Sequence, residues 1–566
     1  MVLLLALLTW FSLHLAAMRI IQVDECNNMF VAKILATGQA KSTLGAIDIF
    51  QIPLSWLARG TTRSIDLFTS ARFVMFELFW LNLILIALAT GEKLLSQRGI
   101  IALAFAATLA PLWDYGFEIR HDNVLLTGVL LIWCSIRTSK PMPQAYVLAG
   151  VVTVFLQFVA FKAFVYTLPI CVGMVLFPPP GISIRRWKLA SLWLAGALGV
   201  FLAVRIWYGQ SGLWEIYLTG SRGITAVSTG CQRFGAWFPL NRLLEQTPLL
   251  LAVVVAASAT LIVALGRLPK KVFSWEAQLP EAMLFFVALG ALIVNPTPFP
   301  YNLVNFVPYA FIFAYRYISP FWSELWRNPV ARPVLFSVVI FAHFVPFAIA
   351  TQRHSQMSNN RQEKLMTLAE ALADPTRDPV YDGIGMVPTR AIIHPRSFLH
   401  SLNIQSFISG PEPKLRDYLT INPAAVLIPS YRTDWLSEAD HEFIRQRYVN
   451  LSDDFFVLGQ QLPAGGGEIE IYHPGRYRIS ALKDSNIAGT YSDTLKEFLS
   501  PPKPELISGT VDETSLPDAP VELSKGKHRI LTESRQPLAV VWVGPKLDRP
   551  PRPGSGDHLK LFVNWY

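Results

Sequence analysis

The sequence predicts a polytopic α-helical membrane protein of about eleven spans, followed by a soluble C-terminal region that combines an α/β unit with a β-sandwich. Three observations lead there. The 566 residues are 52% hydrophobic and only 16% charged, with a mean hydropathy of +0.36, well above that of a soluble globular chain of this size. Long apolar runs dominate the first 350 residues. Beyond about residue 351 the composition turns polar, with Pro-Glu-Pro, Gly-Gly-Gly and Pro-Pro-Arg-Pro punctuation.

Apolar runs able to cross ~30 Å of hydrocarbon as helices lie at about 1–18, 72–90, 98–113, 123–136, 144–160, 163–178, 188–207, 248–266, 279–294, 301–318 and 333–350. The first has neither a basic leader nor an Ala-x-Ala cleavage site and reads as a retained helix. Orientation follows from Lys/Arg asymmetry. The loops 91–98, 136–141, 181–188, 267–271 and 316–332 hold 13 Lys/Arg in 44 residues, whereas 19–71, 114–122, 161–163, 208–247 and 295–300 hold 10 in 111. The first set is therefore cytoplasmic. The second set, with everything after 351, faces the periplasm or its equivalent across an inner (plasma) membrane. The same loops account for the net charge of +9 without nucleic acid, because the basic residues form no stripe interleaved with aromatics. Cys26, Cys134, Cys171 and Cys231 show no metal-ligand or CxxC spacing. Cys26 and Cys231, both in outer loops, are the pair placed for a possible disulfide.

Residues 1–351 thus form the membrane domain, 352–465 a soluble α/β region and 466–566 a β-rich region. The α/β region is expected to contain a helix through Ala369, Ala371 and Ala373, the strand-like 424–429 and a helix over 437–445. Alternating strands follow at 468–472, 477–479, 521–523, 528–531 and 538–543. Tyr472, Trp542 and Trp565 are either core and edge aromatics or a sugar-stacking surface.

Three groups of polar residues fall on the outer side of the membrane domain. Asp24 and Glu25 stand together just past the first apolar run, where paired carboxylates gain little from lipid and are costly within it. They are the catalytic candidates, at the start of an amphipathic helix through 27–35 that lies along the interface. The alternative is a helix cap formed by Asp24. The run Asp114-Tyr-Gly-Phe-Glu-Ile-Arg-His-Asp122 supplies Glu118, Arg120, His121 and Asp122 for an acceptor or a sugar. If 118–122 is helical, Glu118 and Asp122 share a face. The structural alternative has Asp122 or Asn123 capping the next span and Glu118 paired with Arg120. Lys162, alone between two apolar runs, either anchors a phosphate or snorkels. Arg222 and Arg233 are further phosphate candidates or solvated loop charges. Carboxylates and cations at an outer face suit a substrate with its tail in the bilayer and an anionic head at the surface, the shape of a sugar carried on a polyprenyl phosphate.

In their order, these features resemble the GT-C class of lipid-linked-sugar glycosyltransferases, in particular the superfamily of protein O-mannosyltransferases and aminoarabinose transferases, over residues 19–320. Asp24-Glu25 followed by 32–38, Ala-Lys-Ile-Leu-Ala-Thr-Gly, is similar to the family's Asp-Glu pair and small-residue helix. Ile52-Pro-Leu-Ser-Trp56 takes the place of its Pro-Pro-Leu segment, and Ala71-Arg-Phe73 that of its Ala-Arg-Leu. Glu118-Ile-Arg-His-Asp-Asn-Val-Leu-Leu126 resembles Arg-x-x-x-Pro-Asp-x-x-Leu, with His121 where proline is usual. Lys162 matches the lysine of a Thr-Lys-Gly-Pro turn, and 298–308 a Tyr-x-Leu-Pro-x-x-Pro helix start. The resemblance implies a GT-C-like fold and an inverting transfer from a polyprenyl-phosphate sugar to a hydroxyl of a lipid, glycan or protein. Asp24 or Glu25 is then the general base, and Lys162 with an arginine stabilises the departing phosphate. No cofactor is required, and a divalent cation is compatible. Two other classes stay open: a transporter or flippase of a lipid-linked saccharide, and a non-catalytic glycan-binding scaffold. A transporter usually carries midplane charges and inverted repeats, and the sequence has neither.

Overall fold

Up to Arg447 the described residues are mainly helical, with two short strands among the helices, and beyond it they form strands. The fold comes from a computed structural model that describes residues 2–38, 47–136, 142–176, 184–220, 237–267, 279–295, 299–391, 398–399, 410, 413–452, 455–482 and 507–545. The chain divides into two units. The first is Met1–Arg19, Gly38–Leu54 and Thr69–Ser358, and the second is Ile20–Thr37, Ser55–Phe68 and Asn359–Tyr566. Residues 20–37 and 55–68 thus group with the C-terminal residues in the second unit.

The first unit is helical. Among the described residues, Ser64–Ala89, Arg186–Ser211 and Ala331–Ser355 are long and apolar enough to cross a membrane. The pair Trp237–Gln246 and Pro248–Val263, bent by 111°, adds a fourth span if it counts as one. Six more apolar helices have 10–17 residues, fewer than the ~20 that a full crossing takes. Among the described residues, length alone thus gives three or four spans, and the expected count of about eleven is not confirmed. The run 98–113 shows why. Its helix Gln97–Ala106 stops at a turn, and Pro111 opens the separate helix Ala110–Tyr115.

Two features fix the packing of this unit. The helices Gln144–Val159 and Arg186–Ser211 cross at glycines. A Cβ on Gly150 would lie 2.0 Å from the Trp193 carbonyl oxygen, and one on Gly196 would lie 2.2 Å from that of Val147. Small residues let two backbones touch where lipid supplies no hydrophobic drive between helices. The long helix Ala331–Ser355 contains a π segment, Ile340–Phe344. This segment buries His343, whose Nε2 lies 2.8 Å from Thr108 Oγ1.

In the second unit, Val23–Thr37 and Asn360–Leu372 are helices, and the strands form two sheets. The larger sheet contains β1 (Val380–Tyr381), β2 (Val426–Leu427), β3 (Tyr448–Ser452), β4 (Phe455–Leu462), β6 (Gly475–Ala481), β9 (Val521–Leu523) and β11 (Leu538–Trp542). It runs β1-β2-β4-β11-β6-β9 with β3 also on β4. The β1–β2 pair is parallel and the other pairings are antiparallel. The smaller sheet is β5-β10-β7-β8, from Gly466–Ile471, Gly526–Thr532, Gly509–Val511 and Thr514–Ser515. Because β4 pairs with β11, one sheet joins strands from either side of the expected boundary at 465. The helix expected over 437–445 is Glu438–Arg447, and the Ser437 hydroxyl accepts the Asp440 N–H at its start.

The glycine crossing is testable. Gly150→Leu forces the two helices apart and should destabilise the protein by about 1–3 kcal/mol, as overpacking does. Thermal unfolding in detergent measures this, and an unchanged midpoint would show that the backbones are not in contact.

Candidate functional site

The chemistry-bearing residues of the first unit gather where three chain turns meet. Helix Gln144–Val159 ends at Ala160, which is extended (φ −154°, ψ 125°), and Lys162 follows in the turn before helix Ala163–Leu176. Pro300 opens a 3-10 turn, Pro300–Asn305, after an extended Phe299. The third turn is 116–120, which leads into helix His121–Ile136.

Asp122 lies in the first turn of that helix with its side chain 1% exposed. It accepts a hydrogen bond from Lys162 Nζ and another from Arg120 Nε at 3.2 Å, and His121 Nε2 is 3.9 Å away. Lys162 also donates to Asn302 Oδ1 at 3.1 Å. Arg120 lies over the Tyr301 ring at 3.9 Å and Lys162 over the same ring at 5.1 Å, each cation facing the negative π surface. Asn305 Nδ2 donates to the Asp122 carbonyl at 3.3 Å. The Lys162 side chain retains 27% of its exposure, so the ammonium is held without being sealed off.

Around this centre the other charges are tied down. Arg19 donates to Glu118 at 3.1 Å and to the Trp113 carbonyl at 3.1 Å, while Arg72 donates to the Arg19 carbonyl at 2.5 Å. The Arg19 and Glu118 side chains are both buried. Asp114 Oδ2 accepts from Gln246 at 2.7 Å, and Asp114 Oδ1 lies 2.6 Å from His354 Nε2. Asn123 Nδ2 donates to the carbonyls of Tyr115 and Glu118, which closes the turn ahead of the helix.

In the second unit, Asp24 and Glu25 occupy the first turn of helix Val23–Thr37. Glu25 is fully buried, and its Oε2 accepts the Gln22 N–H at 2.9 Å, the reach-back from the third helical position that forms half of a capping box. Asp24 is half-buried one position earlier, where the helix dipole favours its negative form. Lys33 on the same helix donates to the carbonyls of Ala58 and Thr61 at 2.9 and 3.0 Å. Burial first, then the charge of Arg390, pushes its ammonium below the ordinary lysine value.

No protein-family model and no curated protein sequence matches the chain. Among solved structures it is similar to ArnT from Cupriavidus metallidurans bound to undecaprenyl phosphate, with 13% identity, a TM-score of 0.49, and coverage of 81% of this chain and 97% of that one. It is also similar to the Archaeoglobus fulgidus oligosaccharyltransferase in complex with zinc and sulfate, with 12% identity, a TM-score of 0.38, and coverage of 79% and 71%. Likeness at this level leaves the function to be argued from the site's own chemistry.

Of the residues singled out in the sequence, Arg120, His121, Asp122 and Lys162 come together. Glu118 does not join them. The segment 116–120 is a turn and the helix starts at His121, so Glu118 and Asp122 share no helical face, and Glu118 is ion-paired with Arg19. Arg222, Arg233 and Cys231 lie outside the described residues. Glu25 takes part in the cap at 22–25, where the structural alternative drawn from the sequence names Asp24. Tyr301 and Asn302 belong to the site but carried only a motif-level signal, and Gln246 and His354 carried none. Among the described residues no group of three or more His, Cys, Asp or Glu is placed to hold a metal ion.

Asp122 balances two cations in a buried setting. Asp122→Ala should therefore cost about 3–5 kcal/mol, and pairing Asp122→Asn with Lys162→Met should recover part of it. Thermal unfolding of the purified protein separates the two, and equal midpoints for wild type and Asp122→Ala would remove Asp122 from this role.

Proposed function

We propose that this chain is a GT-C-type glycosyltransferase. It moves a sugar from a polyprenyl-phosphate donor to a hydroxyl acceptor at the outer face of the inner membrane, with inversion and a carboxylate base. The observation that carries the reading is the Lys162 ammonium, partly exposed and held by Asp122 and Asn302, with Arg120 across Tyr301. A partly exposed ammonium among turns that join apolar helices suits the phosphate of a lipid whose tail lies in the bilayer. The Lys/Arg bias of the loops supports the outer face.

In this reading the acceptor oxygen attacks the anomeric carbon from the side opposite the phosphate. The new C–O bond forms as the bond to the phosphate oxygen breaks, and a single displacement inverts the centre. The acceptor proton passes to a carboxylate. Asp24 is the better base, since Glu25 is buried and caps its own helix. The electron pair leaves on the phosphate, where Lys162 and Arg120, with Arg222 and Arg233 as further candidates, offset the growing charge. His121 is the residue left for a sugar or acceptor hydroxyl, Asp122 holds the two cations from its buried position, and Glu118 moves to a supporting role with Arg19. The scheme requires no cofactor.

The test uses purified protein, radiolabelled polyprenyl-phosphate sugars and a membrane extract as the acceptor source. Asp24→Asn should slow transfer by about 10²–10⁴-fold, and Lys162→Ala by about 10²–10³-fold. No transfer by wild type from any donor, or equal rates for wild type and both variants, would overturn the proposal.

A further inference from the structure

The chain segment that delivers Asp24 is gripped by a side chain 341 positions away. Gln362, on helix Asn360–Leu372, is 2% exposed. Its Oε1 accepts the Ile21 N–H at 2.7 Å and its Nε2 donates to the Ile21 carbonyl at 2.8 Å. One amide therefore satisfies both backbone groups of a fully buried residue, as a neighbouring strand would. The next residue, Gln22, is the N-cap that donates to Glu25, and Asp24 lies between.

A second contact acts on the same helix. The turn after β1 is shaped by the Asp382 carboxylate, which accepts the N–H groups of Ile384, Gly385 and Met386 at 2.8, 2.6 and 2.7 Å. This brings Gly385, at φ +75°, so close to Phe30 that a Cβ there would lie 2.8 Å from the Phe30 Cβ. The helix Val23–Thr37 is thus fixed at its approach by Gln362 and in its second turn by Gly385.

We propose that Gln362 is a positioning residue for Asp24: the C-terminal region, through this one side-chain amide, sets where the base is held. This rests on the reading of Asp24 as general base. Proton abstraction depends steeply on placement, and a shift of about 1 Å can cost about 10²-fold. An amide that fixes the backbone three residues before the carboxylate therefore affects the chemical step without touching substrate.

The experiment is a double-mutant cycle in the transfer assay, with kcat and donor KM measured separately. Gln362→Met keeps the volume and removes both hydrogen bonds. The expected result is a 10–100-fold lower kcat with a nearly unchanged donor KM, and no further loss when Gln362→Met is added to Asp24→Asn. A wild-type kcat for Gln362→Met overturns the proposal. So does a loss that multiplies onto that of Asp24→Asn, because Gln362 would then act independently of the carboxylate. If Asp24→Asn alone transfers at the wild-type rate, the base assignment fails and this inference falls with it, a result distinct from either of the others. Should Gln362→Met not accumulate as folded protein, Gln362→Asn replaces it. That variant keeps the amide but draws it back by one methylene, and the same outcomes decide.

Discussion

The Asp122 carboxylate is the contact on which the arrangement of the first unit's polar centre depends. Left alone, a carboxylate this buried would be too costly to keep charged. Lys162 and Arg120 make the charge tolerable, and in return Asp122 holds them in place. The link reaches further than one ion pair. Lys162 brings in Asn302, Asn305 grips the Asp122 main chain, and Tyr301 accepts both cations on its ring. Three turns far apart in sequence are joined by one buried negative charge.

Charges of the polar centre differ in how far they are enclosed. Arg19 with Glu118, and Asp114 with Gln246 and His354, are buried and hydrogen-bonded. Their surroundings offer a substrate little access. Lys162 is different, because its partners orient the ammonium while part of it remains exposed. A cation fixed in this way meets an incoming anion without first losing rotamer freedom.

How much was legible in the sequence depended on whether a residue's reason was local. Asp122 and Lys162 stood out because charge is rare beside apolar runs. The strands at 468–472, 521–523 and 538–543 showed in their alternation. The partner of Glu118 did not show, because Arg19 is 99 positions away and ordinary in its own context. Gln246 and His354 likewise acquire their roles only through Asp114. β2 showed as the strand-like 424–429, but the two-residue β1 is too short for any periodicity, so the parallel pairing of the two left no trace. The sequence's Pro-Tyr-Asn at 300–302 read as a helix start, and it is one, but the 3-10 turn there also delivers two site residues. Apolar runs report burial or lipid equally and do not report where a helix stops, so helix lengths within them were not legible.

The π segment at Ile340–Phe344 bears on register. A π turn takes in an extra residue, and one residue of an α-helix corresponds to about 100° of rotation. Side chains before and after the segment therefore point in directions that an uninterrupted helix would not give them. His354 lies beyond the segment and meets Asp114, while His343 within it meets Thr108. The two contacts share one helix, and the π segment resets its phase between them. The length of this helix, counted to a single residue, is therefore as much a part of the design as the identity of its histidines.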